Sequence, residues 1–232
     1  MRAKKLVYVF VLPLLFGFAS ERNFLDPGDT PVALVKKIVK NVQYAKINLN
    51  LWEEAKTGLP LNSGEKVKTG SKSIALILFT DGSGLLTVRE NSILTINSKL
   101  ENKKLNKDTF IEKGTVSFDV NKQEDEEFKF TTPTAVASIR GTTGLFDVAD
   151  NGESKMILES GSVELLTKSG KKVTLTAGNT VVFDLAGNAN VYPSTDNDKK
   201  KLGSAKSLNT KKVKIHTNFG DVEVEYFSDE GK

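Results

Sequence analysis

Catalysis needs groups that can hold, give or take a proton, and this chain offers few in useful spacing. Its one histidine, His216, has lysines rather than carboxylates for sequence neighbours. No Ser-His-Asp order, HExxH motif or phosphate-binding glycine loop is present. Asp81-Gly82-Ser83-Gly84 is too short for a calcium loop and reads as a tight turn. Glu53-Glu54 and Glu126-Glu127 are neighbours in sequence, which on a strand sends their side chains to opposite faces. A glycosidase pair would come together only in the fold, so the sequence leaves that arrangement open. The expectation is a protein that is not an enzyme, with no cofactor and no metal.

Two residues keep a recognition reading. Arg140 is either a structural arginine, hydrogen-bonded to loop carbonyls or a carboxylate, or an exposed recognition group. Trp52, with Tyr44 upstream, either caps the core or stacks on a sugar. Arg140 lies in Phe128–Val148, the stretch around which the chain is organised. Phe128 and Phe130 fall on one face of an extended strand, and Lys129 and Thr131 on the other. Thr132-Pro133 breaks the ladder, because proline donates no N–H and holds the residue before it extended. Ala135, Val136, Ala137 and Ile139 then lead to Arg140, Gly141 and Thr142, where a turn or bulge is predicted before Leu145–Val148 resumes as a strand. Thr132, Pro133, Arg140, Gly141, Thr142 and Trp52 are therefore the candidate structural or recognition residues.

The positioning elements follow from composition and punctuation. With 232 residues, 38% of them hydrophobic and 27% charged, the chain can fold one good-sized domain with an appendage. It has no cysteine, which excludes disulfides, thiolate metal sites, cysteine nucleophiles and a lipid-attachment cysteine. Residues 1–19 read as a signal peptide: Arg2, Lys4 and Lys5 precede the apolar Leu6–Phe18, and Gly17 and Ala19 suit a cut before Ser20. The alternative is an uncleaved anchor, although the run is short for a spanning helix of about 20 residues. Both readings export the remainder. Removal of residues 1–19 takes three basic residues and no acid, and the formal charge of +4 becomes 30 basic against 29 acidic residues. A chain this close to neutral is not expected to bind nucleic acid.

After a leader at 20–30, Thr30-Pro31 can start a helix, but a strand over Ile38–Ile47 is favoured because all that follows is β-like. Ile74–Phe79 is apolar throughout, as in a strand buried on both faces. Turn signals recur about every 8–12 residues, as in an all-β sandwich or solenoid. Lys99–Asp108 reads as an exposed loop or hydrophilic strand end, and Gln123–Glu127 as an acidic turn. Residues 193–212 read as a lysine-rich linker, and 213–232 as a C-terminal hairpin favoured to dock on the parent domain.

Gly64-Glu65-x-Val67-x-Thr69-Gly70, Asp81-Gly82-Ser83, Gly114-x-Val116, Phe128-x-Phe130-x-Thr132-Pro133-x-Ala135-x-Ala137-x-Ile139-Arg140-Gly141-Thr142 and Gly161-x-Val163 follow one another in the order that resembles FecR domains. The resemblance runs over about Ile38–Phe183 and departs from the family at Asn41, where glycine is usual. It implies an all-β fold of two packed antiparallel or coiled sheets of many short strands, from sandwich to β-solenoid-like, over 31–192. It also implies a sensor or interaction module of the periplasm or cell surface, with an envelope protein as partner. With residues 1–19 read as a cleaved signal, no membrane span is expected in the remainder. Only Met1–Lys5 precede the apolar run, so a sigma-binding segment is not expected. The alternative function is a cell-surface or glycan-binding structural module.

Overall fold

The computed structural model describes residues 31–47, 49, 51–101, 104–122, 127–207, 210–218 and 220–227. The signal peptide and leader expected at 1–30, and the acidic turn except Glu127, lie outside them. The N-terminal strands are β1 (Ala33–Val39), β2 (Val42–Ala45), β3 (Glu53–Glu54), β4 (Pro60–Leu61) and β5 (Glu65–Thr69). Next come β6 (Ile74–Phe79), β7 (Gly84–Val88), β8 (Ile93–Glu101) and the long β9 (Lys104–Val120). Beyond it lie β10 (Phe128–Thr131), β11 (Ala135–Ile139), β12 (Thr142–Val148) and β13 (Ser154–Ser160). The remaining elements are β14 (Ser162–Thr167), β15 (Lys172–Thr176), β16 (Asn179–Phe183), β17 (Ala189–Pro193), α1 (Asp196–Lys206), β18 (Thr210–Thr217) and β19 (Gly220–Phe227).

These strands form two large sheets that share β9. The first runs β4-β1-β6-β7-β9-β12-β13-β16-β17. The second runs β3-β2-β5-β8-β9-β10-β11-β14-β15. All of these pairings are antiparallel except β9 with β10. Gly114 is where β9 passes from one sheet to the other. Residues 104–113 pair with β8, and 114–120 with β12. Gly114 has φ +96°, and a Cβ there would meet the Ser92 backbone at 2.5 Å, so only glycine fits.

The core lies between the sheets. Phe128 and Phe130 of β10 face Phe79, Phe118 and Phe146 of the first sheet, with Phe79 edge-on to Phe128 at 4.8 Å and Phe118 at 4.9 Å from Phe130. The alternation in FKFT therefore sets which residues enter the core: both phenylalanines are buried, and Lys129 and Thr131 point out. The expected strand Ile38–Ile47 is instead two strands, β1 and β2, and residues 33–39 are strand rather than helix. Lys40 at φ +60° makes the turn between them, next to Asn41 where the family's glycine was sought. Lys99–Asp108 lies mostly in the strand ends of the β8–β9 hairpin, not in a free loop.

The tract expected as a linker contains a docked helix. Thr195 caps α1: its Oγ1 accepts from the Asp198 backbone N–H, and the Asp198 carboxylate accepts from the Thr195 backbone N–H at 3.1 Å. Leu202 and Ala205 are buried against Leu145 and Ile157 on the outer face of the first sheet. Lys201 and Lys206 bridge to Asp147 and Glu159, and Arg89 donates to the Ser207 carbonyl at 2.9 Å. Sequence inspection weighs lysine count, whereas the cap and two apolar contacts decide the structure. The expected hairpin is formed by β18 and β19. Its Val213, Ile215 and Val222 are exposed, so that face is not docked among the described residues.

Candidate functional site

The Thr-Pro stretch is a hinge held by hydroxyls. Thr132, Thr134 and Ser154 are all buried. Thr134 Oγ1 donates to Ser154 Oγ at 2.7 Å, Ser154 Oγ donates to Thr132 Oγ1 at 3.0 Å, and Thr132 Oγ1 donates to the Ala135 carbonyl at 3.1 Å. This chain ties the β10–β11 turn to β13, while half-buried Pro133 sits at the turn itself. Gly141, at φ +62°, carries the chain from β11 in the second sheet to β12 in the first. Gly161 closes on it: a Cβ there would stand 2.4 Å from Thr142 Cγ2 and 2.9 Å from the Gly141 carbonyl oxygen. Thr142 is buried, and its hydroxyl has no hydrogen-bond partner among the described residues. Thr132 and Pro133 thus shape the turn before β11, and Gly141 and Thr142 the crossing after it, at opposite ends of one strand.

Arg140 takes part in neither. The side chain is exposed and has no hydrogen-bond or ion-pair partner among the described residues. The expectation that it anchors buried carbonyls finds no support in this geometry. Among the described residues, no group of three or more His, Cys, Asp or Glu is placed to hold a metal ion. Glu53 accepts from the Tyr44 hydroxyl at 2.9 Å, and this bond is the main cause of the raised Tyr44 pKa. His216 lies across from Asp221 on the hairpin and is hydrogen-bonded to it, a carboxylate partner its sequence neighbours did not suggest.

Trp52 lies at the rim of a cavity of about 640 Å³ at one end of the second sheet's outer face. Ala45, Lys66, Ile93 and Glu112 line it, with the exposed Ile47 and Leu49 on its lip. The Lys68 ammonium sits 4.4 Å from the Trp52 ring centroid, a cation–π contact. Trp52 and Arg140 are not brought together: Trp52 touches β5, while Arg140 follows the end of β11.

Strand register extends this face beyond the cavity. One outward row runs from Ala45 and Lys66 through Thr95 and Phe110 to Val136 and Leu166. Phe110 and Val136 are half-buried, and Leu166 is 45% exposed. A second cavity, of about 360 Å³, opens between Val136, Leu166 and Lys172. No described helix covers this face, in contrast to the first sheet under α1. Sequence reasoning missed Lys107 as well. It falls in the tract read as polar, yet it is buried, with its ammonium ion-paired to Asp81 and 6.0 Å from the Phe128 ring centroid. Burial alone would raise the Asp81 carboxyl, but hydrogen bonds from Lys107 and Ser83 outweigh it and hold the pKa below its ordinary value.

The stretch from β5 into β14 has a counterpart among known families. Residues 65–164 match the family model described as FecR protein. Over those residues the chain is similar to a FecR domain. The match spans β5 into β14 and contains the whole hinge. Two crystal structures of a candidate anti-sigma factor from Parabacteroides distasonis ATCC 8503, at 2.50 and 1.65 Å resolution, share the fold. Each has a TM-score of 0.50 and 12% sequence identity, over 58% of this chain and 62% of theirs. The chain therefore spans less than two thirds of the length of these neighbours, and at that identity the likeness is one of fold. No curated protein matches it. Among the described residues, no helix is long and apolar enough to cross a membrane.

Proposed function

We propose that this chain is a non-enzymatic, exported FecR-type module of the bacterial cell envelope, which serves signalling by binding a protein partner on the outer face of its second sheet. The family match supports a regulatory setting, and the signal-like residues 1–19 support export. One observation carries the choice of face. The first sheet buries the outward Leu145 and Ile157 under α1 and keeps its other outward row, Leu34, Leu78 and Leu85, half-buried, while the second leaves Leu166 45% exposed beside Phe110 and Val136 with no described element over them. A continuous sheet face with apolar side chains and a polar surround suits a protein partner. Catalysis has no matching geometry among the described residues.

A photo-crosslinking residue at Leu166, compared with one at exposed Lys200 on α1, tests the assignment in cells. Discrete protein adducts from position 166 and none from 200 are expected. Equal patterns from both positions, or none from 166, would overturn it. Trp52 beside an open cavity supports a second reading, glycan binding, because aromatic rings stack on sugar faces. Retention on a glycan array that is lost in Trp52→Ala would favour that reading.

A further inference from the structure

Lysines gather around the cavity beside Trp52. Lys46 and Lys66 line it, and Lys68 lies over Trp52. Glu112 is the one carboxylate in the lining, and Glu54 lies beyond Gln43 at the far end of the row through Lys68. None of the three lysines is paired to a carboxylate among the described residues. Lysines on the first sheet's outer side behave differently. Lys155 pairs with Asp198, Lys201 with Asp147 and Lys206 with Glu159. Unpaired cations around an apolar floor of Ala45, Ile93 and the Trp52 edge are complementary to a ligand with both negative charge and apolar side chains.

Within the reading of the second sheet as a protein-binding face, we infer that this cavity takes an acidic peptide segment of the partner that presents carboxylates and apolar side chains on one face. Residues i and i+2 of an extended chain share a face, so such a segment sets an apolar side chain between Trp52 and Ile93 and a carboxylate beside it on Lys46 or Lys66. A sugar is disfavoured, because the Lys68 ammonium occupies one ring face of Trp52. The apolar lip formed by Ile47 and Leu49 has no role for a sugar hydroxyl and a clear one for a leucine or phenylalanine.

Trp52 is the single tryptophan of the chain, so its emission reports on this cavity alone. The full-length protein is titrated with a ten-residue peptide in which glutamate pairs alternate with leucine pairs, with its lysine–leucine counterpart, with maltohexaose and with phosphatidylglycerol vesicles. A saturable change with the glutamate peptide alone is expected. It should weaken at least tenfold in K66E/K68E, and also on going from low salt to 0.5 M, a concentration that screens charge beyond about 5 Å. Anisotropy of a labelled peptide gives the same comparison without the altered baseline of the variant. If K66E/K68E lowers Tm, K46E replaces it. No saturable response to the acidic peptide, an equal response to the basic one, or a response to sugar or vesicles in its place overturns the inference. Crosslinking from Leu166 reads the broader assignment separately. Adducts at 166 without peptide binding would sink the acidic-cavity inference alone, and absence of adducts would sink the protein-binding face.

Discussion

The two sheets of this protein solve the same problem in opposite ways. Each has an inner face filled by the shared phenylalanine core and an outer face with apolar side chains of its own. On the first sheet, Leu145 and Ile157 are 0% and 1% exposed because α1 lies over them. On the second, Leu166 remains 45% exposed, and no described element lies above it. Lysines follow the same division, paired under the helix and unpaired around Trp52. Elements that finish a fold neutralise what they cover. A face left with open apolar groups and unpaired charge is what the proposed binding role requires.

The contrast breaks most visibly at paired leucines. Leu202→Asp places a charge against Leu145 and Ile157 and should detach α1, at a cost of about 2–4 kcal/mol. The corresponding fall in Tm is roughly 5–15 °C, read by differential scanning calorimetry, with faster amide exchange over β12 and β13. Leu166→Asp on the open face should change stability by no more than about 0.5 kcal/mol. Equal losses at the two positions would mean that the second sheet's face is covered after all.

A smaller effect is expected at the helix cap. Asp198→Ala removes the hydrogen bonds that its carboxylate accepts from Thr195 and the 3.3 Å ion pair with Lys155, keeps the backbone N–H bond to Thr195 Oγ1, and should cost about 1 kcal/mol. The same group gives the helix an acid limit. Burial alone would raise the Asp198 carboxyl, but hydrogen bonding to Thr195 and the Lys155 ammonium outweigh it, so its folded pKa lies below the ordinary 3.8. A carboxyl depressed on folding adds stability at pH above its unfolded value, and that contribution is lost as pH falls through the folded value. Wild-type Tm should therefore drop more steeply than that of D198A below pH 3.8. Parallel acid profiles would show that Asp198 does not cap the helix in solution.

Arg140→Ala should be smaller still, with a change in stability of at most about 0.5 kcal/mol, because the guanidinium is exposed and holds no described partner. A fall in Tm above 3 °C, more than the roughly 1 kcal/mol that such a shift represents, would restore the anchoring role that its place before Gly141 suggests.

How much of this was legible in the sequence depends on the length scale of each signal. Phe128–Thr131 was readable because alternation is local, and Ile74–Phe79 because a continuous apolar run marks a strand buried on both faces. Helix α1 was not, since only Leu202 and Ala205 of its eleven residues supply apolar contact. Its one local mark was the Thr195…Asp198 spacing, with aspartate where glutamate or glutamine is the usual partner. The open face was invisible for another reason. Lys66, Phe110 and Leu166 come from strands far apart in the chain, and only the register of β5, β8, β9, β10, β11 and β14 aligns them. Trp52 was singled out, but the lysine over it could not be.

The smallest effect is expected at the C-terminal hairpin, where the comparison can be sharpened without touching either sheet. Truncation after Ser207 keeps α1 and the Arg89 contact to the Ser207 carbonyl, and removes β18 and β19. The hairpin satisfies itself: β18 pairs only with β19, and Lys214 and His216 both reach Asp221. Val213, Ile215 and Val222 are 42%, 46% and 49% exposed, so their removal takes little buried surface from the parent domain. Tm should then shift by no more than about 1 °C, a few tenths of a kcal/mol for a chain of this size. A loss above 3 °C would mean that the hairpin docks in solution, and the second sheet's open face would be its first candidate seat. Unchanged Tm with lost Leu166 crosslinks would instead make the hairpin part of the binding surface, since an apolar strand pair with no home in its own domain is suited to join a partner's sheet.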